Sequence, residues 1–305
     1  MVMPIVVAED VRAALKSGAP IVALESALIT HGFAYPANVE ITHQMAEIIR
    51  AGGAVPAVIG VWEGRPTVGL SAAQIEGLAH ETAVKISIRD LSLARLRGLH
   101  GGTTVAATML LAQRVGLHVF ATGGIGGVHR GHPEDISADL PALATIPVIV
   151  VCAGAKAILD LPRTLEFLET WGVPVLGWQT ASFPAFYSRE SGLAIDQRVS
   201  NAAEVAAIYA SQRALELPQG LLVTAPVPAE DEIPAQEIEP LIAQALAEMN
   251  AQGISGKHVT PYLLARLVTL SDARSRRANE SLLLNNARVG AQIAVQFASQ
   301  TAAQA

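Results

Sequence analysis

The sequence predicts an α/β fold: a mostly parallel central sheet flanked by helices on both faces, with a small hairpin excursion and a helical C-terminus. Two observations carry this expectation. Short apolar runs bounded by Gly or Pro recur along the chain, and stretches of helical periodicity separate them. Aromatics are only 4% of a chain that is 51% hydrophobic, so Ala, Val, Leu and Ile must build the core, which suits helices packed closely on a sheet.

The runs Ile21–Leu24, Ala57–Val61, Val84–Ile88, Val119–Thr122, Val148–Cys152, Val173–Gly177 and Leu221–Ala225 read as strands. Helical periodicity is clearest at Val39–Arg50, Thr103–Arg114, Ala155–Trp171, Ala202–Leu215 and Ile238–Asn250, and Gly52, Gly116 and Gly253 stand where helices would stop. Parallel strands need such crossovers, so helices are expected on both faces of the sheet. Between Trp62 and Leu70, the run Glu63-Gly64-Arg65-Pro66 supplies turn chemistry for a hairpin. Beyond Thr260 the chain reads as helix almost to its end. No low-complexity linker, charge block or internal repeat divides it, so residues 1–305 read as one domain.

The formal net charge of −6 disfavours a polyanionic partner and argues against nucleic acid, while a small phosphorylated ligand fits a locally basic pocket. One cysteine, Cys152, excludes an intrachain disulfide and reads as a small buried hydrophobe. The first residues lack the pattern of a signal peptide and no apolar run is long enough to span a bilayer, so no membrane partner and a cytoplasmic location are expected.

In an open parallel sheet, ligands bind beyond the carboxyl ends of the strands. The residues there are Glu25-Ser26, Arg89-Asp90, the glycine-rich segment from Gly123 to Gly131, and Ala153-Gly154-Ala155-Lys156. Lys156, behind small residues, is placed to project into a crevice as a nucleophile, or to cover a helix start. At an ordinary pKa only about one such amine in 2,500 is neutral at pH 7, so covalent chemistry needs desolvation or a neighbouring cation, for which Lys85 is the candidate. Glu25, at the end of an apolar strand, reads as a general acid or as a partner of Arg89.

Asp135 and Asp139 flank Ser137 at a spacing that suits Mg²⁺ or Mn²⁺ and equally suits a helix cap. His129, beside Arg130, is a candidate for phosphate, carbonyl or metal contact, with a structural histidine as the alternative. Gly101-Gly102-Thr103-Thr104 precedes an apolar helix whose amides, with two hydroxyls, can cradle a phosphate. No G-x-G-x-x-G occurs, so a nicotinamide cofactor is not indicated. Trp62, Trp171 and Trp178 read as packing residues, and Arg274, Arg276 and Arg277 as a solvated face.

Together the segments VALESALITHG, KISIRDL, GGTTVAATM, FATGGIGGVHRG, DISADL, VVCAGAKAILD and GKHVTPYLLARL resemble the pseudouridine-5'-phosphate glycosidase family, also called indigoidine synthase A-like proteins, from about Pro20 to Ala298. The resemblance implies reversible, metal-dependent cleavage of the nucleotide's C-glycosidic bond to uracil and ribose 5-phosphate. It implies Glu25 as proton donor and Lys156 as Schiff-base nucleophile. Substrate contacts are implied for Lys85, Thr104, Val105, His129, Ser137, Ala138, Asp139 and Asn279, and one Mn²⁺ per subunit at Asp135, with no organic cofactor. Family members form homotrimers, for which the apolar segment from Ser281 to Phe297 is an interface candidate. Three departures stand out: Ala27 where a hydroxyl is usual, Ile88 where a basic residue is common, and a shortened loop over 131–135. Two other classes remain in view: an aldolase-like lyase that keeps Lys156, and a non-catalytic sugar-phosphate sensor.

Overall fold

A computed structural model describes residues 5–80, 82–256 and 259–304. The strands are β1 (Val6–Val7), β2 (Ile21–Glu25), β3 (Val55–Trp62), β4 (Arg65–Val68), β5 (Val84–Ile86), β6 (Gly101–Thr103), β7 (Val119–Ala121), β8 (Val128–His129), β9 (His132–Ile136), β10 (Ile149–Cys152), β11 (Leu159–Asp160), β12 (Val175–Trp178), β13 (Gln197–Val199) and β14 (Leu221–Thr224). The central sheet runs β1-β4-β3-β2-β7-β10-β14-β12-β13, with β6 added to β3 and β5 to β6. From β3 through β2 to β13 every neighbouring pair is parallel. The antiparallel exceptions are β3 with β4 and β3 with β6. Pairing along β3 explains the branch: Val55 to Ile59 face β2, and once β2 ends at Glu25, Gly60 and Val61 take β6 instead.

All seven expected strands are present, with small shifts at their ends. The hairpin forms as expected, but its turn is only Glu63-Gly64, both with positive φ (49° and 69°), as primed hairpin turns require. Arg65 and Pro66 belong to β4. The strand at Val84 stops at Ile86 because Ser87 and Asp90 form a capping box around a short 3-10 turn over Ile88–Asp90.

Two helix expectations need correction. The helix placed from Thr103 begins at Val105, because Gly101–Thr103 is the buried strand β6. The helix placed from Ala155 begins at Leu161: Asp160 accepts the Arg163 amide and Pro162 stands in the first turn, while the residues before it form a β-bridge at Ala155 and strand β11. A second, three-stranded antiparallel sheet, β11-β8-β9, joins the glycine-rich segment and the 131–135 loop to residues 159–160, which the sequence reading placed in a helix. The C-terminal part is two helices, Val259–Leu270 and Arg274–Gln304, separated where Asp272 and Ala273 take positive φ.

The core is one cluster dominated by aliphatic side chains from strands and helices. The helix Arg274–Gln304 packs along the sheet, touching β2, β7 and β10. Its residues Leu282, Leu283, Ala287, Val289, Ala291, Ile293 and Ala294 are buried within the chain itself, so the face considered for an interface is spent internally. Trp171, read as a packing residue, is 53% exposed. Arg274, Arg276 and Arg277 are exposed as expected, and each pairs with a carboxylate: Glu237, Glu280 and Asp231. Among the described residues no helix is long and apolar enough to cross a membrane.

Gly290 lets this helix lie on the sheet. A Cβ there would come within 3.2 Å of the Ala121 methyl and 3.4 Å of Val22 Cγ1. Gly290→Leu should therefore lower stability by about 1–3 kcal/mol through overpacking, read as a fall in the urea midpoint at unchanged m-value.

Candidate active site

The carboxyl ends of β2, β7 and β10 open on a cleft of about 860 Å³. All eleven residues singled out from the sequence line it: Glu25, Lys85, Thr104, Val105, His129, Asp135, Ser137, Ala138, Asp139, Lys156 and Asn279. The cleft also takes side chains that the sequence reading missed, among them His31, Phe186, Thr260 and Leu264. His31 lies in the VALESALITHG stretch and Thr260 and Leu264 in GKHVTPYLLARL, though none was singled out there, and Phe186 stands outside the motif segments. Lys257 and His258, in the GKHVTPYLLARL stretch, lie outside the described residues.

Glu25 ends β2, and its Oε1 accepts a hydrogen bond from the Thr122 hydroxyl, just past β7. Burial raises the Glu25 pKa above the usual carboxylate range, and the Asp139 charge adds to the rise; Lys156, the Thr122 hydroxyl and Lys85 pull the other way. Arg89 is not its partner. That side chain is 86% exposed and lies 3.7 Å from Asp90.

Lys156 is placed by backbone pairing. Its amide donates to the Ile125 carbonyl at 3.1 Å, and the Ile125 amide donates to Gly154 at 3.1 Å, so the segment after β10 is tied to the glycine-rich segment. Gly154 turns the chain at φ +82°, with the Pro184 carbonyl only 2.4 Å from where a Cβ would stand. Lys85, on β5, is pushed below the ordinary lysine value by burial first and by the Lys156 charge second, against the pull of Asp139 and Glu25.

Asp139 is buried and fully engaged. Oδ1 accepts from the Ala106 amide at 2.9 Å and Oδ2 from the Gly126 amide at 2.8 Å, joining the start of the helix Val105–Val115 to the glycine-rich segment. Ser137 Oγ accepts the Asp139 amide at 3.2 Å. The expected phosphate cradle is accordingly altered. The Ala106 amide is taken by Asp139 and the Ala107 amide by Thr104. Thr103 is buried, with its hydroxyl on the Ile59 carbonyl, and of the two threonines only Thr104 lines the cleft.

Asp135 lies on the exposed strand β9, with Oδ2 4.0 Å from His129 Nδ1. Burial lowers the His129 pKa, and the Asp135 carboxylate offsets part of that shift. Among the described residues no group of three or more His, Cys, Asp or Glu side chains is arranged to hold a metal. With Asp139 committed to amides, the available donors suit a cation that keeps most of its water and takes one carboxylate, with His129 beside it. Arg130 is no phosphate ligand here: it donates to the Leu159 and Ala157 carbonyls and pairs with both oxygens of Glu239. Cys152, beneath the site, is buried with its thiol pushed up to about 12, which suits packing rather than chemistry.

These features define an α/β protein whose sheet carries a lysine–carboxylate site at the carboxyl ends of its strands. Residues 10–296 match the family described as indigoidine synthase A like protein, and the chain belongs to that family. It is 55% identical over 291 residues to the pseudouridine-5'-phosphate glycosidase of Methylobacterium nodulans, covering 94% of this chain and 86% of the relative. A relative of the same description from Nocardioides sp. is 52% identical over 293 residues, 95% of each chain. Among solved structures, an indigoidine synthase A-like protein from Thermotoga maritima superposes with a TM-score of 0.89 at 36% identity, covering 96% of this chain and 97% of that one. The prealnumycin C-glycosynthase in complex with ribulose 5-phosphate superposes with a TM-score of 0.91 at 37% identity, covering 99% and 100%.

The Lys85 shift carries a stability consequence. A folded-state pKa below the ordinary 10.5 means that stability is present above that value and is lost as pH falls through the folded pKa, so at neutral pH burying this amine costs stability. Lys85→Met should raise Tm at pH 7, and its advantage over wild type should shrink above pH 10.5, as followed by thermal unfolding at several pH values.

Proposed function

We propose that the protein reversibly cleaves the C-glycosidic bond of pseudouridine 5'-phosphate, giving uracil and ribose 5-phosphate through a Schiff base on Lys156. One observation carries the reading: a carboxyl group held toward its protonated form shares a cleft with two lysine amines, one of them biased toward neutrality. The names of the relatives support the substrate, and the related C-glycosynthase, solved with ribulose 5-phosphate, supports a five-carbon sugar phosphate in such a cleft.

A C-glycosidic bond offers no leaving oxygen to protonate, so two carboxylates alone face a poor leaving group. Glu25 instead gives its proton to the ribose ring oxygen as the C1'–O bond breaks, while the uracil ring feeds electron density to C1'. The neutral Lys156 amine adds at C1', returns that density to the ring and sheds a proton. The C1'–C5 electron pair then passes to uracil C5, which takes a proton, and the nitrogen lone pair closes the imine with C1'. Uracil leaves, one water hydrolyses the imine, and ribose 5-phosphate and the free amine are released.

Lys85 lies near enough to Lys156 for their charges to repel, and it contacts substrate. Thr104, Val105, Ser137, Ala138 and Asn279 shape the sugar-phosphate and base subsites, and Asp139 acts by holding the two amides it binds. Asp135, with His129 nearby, would hold one Mn²⁺, which would supply fixed positive charge to the cleft when bound. No organic cofactor is required, because the imine on Lys156 itself serves the C–C cleavage. A homotrimer, on the strength of the family resemblance, and a cytoplasmic location, on the N-terminal pattern and the single cysteine, complete the reading; light scattering checks the assembly.

The test is chromatographic detection of uracil from pseudouridine 5'-phosphate with Mn²⁺. Release should be lost in Lys156→Ala and with chelator, and Asp135→Asn should raise the Mn²⁺ concentration needed for half-maximal rate by roughly 10-fold or more. Well-folded protein that forms no uracil but cleaves another sugar phosphate would favour a lyase; ligand-induced stabilisation without turnover would favour a sensor.

A further inference from the structure

Thr122 does more than end a strand. It is 1% exposed, its amide donates to the Val151 carbonyl at 2.9 Å, and its hydroxyl donates to Glu25 Oε1. From the far side, Asn286 on the helix Arg274–Gln304 reaches the same point. Its Nδ2 donates to the Thr122 carbonyl at 2.8 Å and to the Gly123 carbonyl at 3.4 Å. The Gly123 carbonyl also accepts the Ala153 amide at 2.8 Å, so the backbone just past β7 is pinned from β10 and from the helix together.

Asn286 is completely buried, and its Oδ1 has no partner among the described residues. A buried amide with half its capacity unmet costs more than an apolar side chain in the same place. What keeps it useful is what its NH₂ group holds. Neither residue was singled out from the sequence: Thr122 follows an apolar strand inside the FATGGIGGVHRG stretch, and Asn286 sits in a long helix.

We infer that Thr122, held in place by Asn286, is the positioning residue of Glu25: its hydroxyl occupies one carboxyl oxygen and leaves the acidic proton on the other, at the cleft. This rests on Glu25 being the proton donor. A carboxylic acid has one oxygen that accepts and one that carries hydrogen. A fixed donor on the first therefore selects which oxygen delivers the proton, and a backbone clamp keeps that donor from rotating away with the chain end. Near the same carboxyl, Lys85 and Lys156 oppose its protonation and Asp139 favours it.

The experiment is an infrared pH titration of the protonated Glu25 carboxyl band, assigned by its disappearance in Glu25→Gln, in the full-length protein. Thr122→Val removes a donor that favours the ionised form, so the midpoint should move up by roughly one pH unit. Thr122→Ser should return it toward wild type, and Asn286→Leu should shift it in the same direction as Thr122→Val. In uracil release, Thr122→Val should lose about tenfold in kcat with KM little changed, the scale of one hydrogen bond to an ionisable group. An unmoved midpoint in folded Thr122→Val overturns the inference, as does a Thr122→Ser protein that behaves like the valine variant. If Asn286→Leu does not fold, the two Thr122 variants decide. If wild type releases no uracil, the functional reading fails, while the infrared titration still decides how Glu25 is held.

Discussion

Removing one carboxyl group and two amines from water into a single cleft is the constraint on which the rest of this structure depends. Burial favours neutral Glu25 and neutral Lys85, while the attraction of each for the opposite charges around it favours ionisation. The balance leaves Glu25 displaced toward its protonated form and Lys85 below the ordinary lysine value, in the same cleft as the Lys156 amine. Environments that push titratable groups apart in this way are a mark of acid–base sites, and here the displacement comes with geometry: a hydroxyl on the carboxyl, and lysines beside it in the cleft.

Holding such groups requires rigid supports, and the chain supplies them from several directions. The parallel ladder of β2, β7 and β10 sets Glu25, Thr122 and the Lys156 segment at adjacent strand ends. Asp139 bonds the helix start at Ala106 to Gly126, and Arg130 locks β8 to the 157–159 segment and to Glu239. Each of these charged groups is spent on structure. That explains why residues beside obvious site residues in sequence, such as Arg130 and Thr103, serve the site only as supports.

Much of this was legible in the sequence, and the failures have physical reasons. Alternating strand and helix patterns gave the parallel sheet because both signals are local. The segment 155–160 read as helix because its Ala, Ile and Leu fit a helical period, yet pairing with the glycine-rich segment overrides that preference, and the cap at Asp160 with Pro162 marks the real start. The sheet β11-β8-β9 was invisible because its strands have two to five residues and glycine surroundings. The eleven site residues stood at strand ends and in family motifs, and they share one cleft. Thr122, Phe186 and Asn286 were missed because their importance comes from partners distant in the chain, as the Thr122–Glu25 and Asn286–Thr122 bonds show for separations of 97 and 164.

The central claim is that Lys156 becomes covalently joined to the sugar. Incubation with ribose 5-phosphate and sodium borohydride, followed by peptide mapping by mass spectrometry, reads this directly, because borohydride converts an imine to a stable secondary amine. The account predicts one reduced pentose phosphate adduct on Lys156 and none in Lys156→Ala. An adduct confined to Lys85, or none in protein that releases uracil, would contradict it.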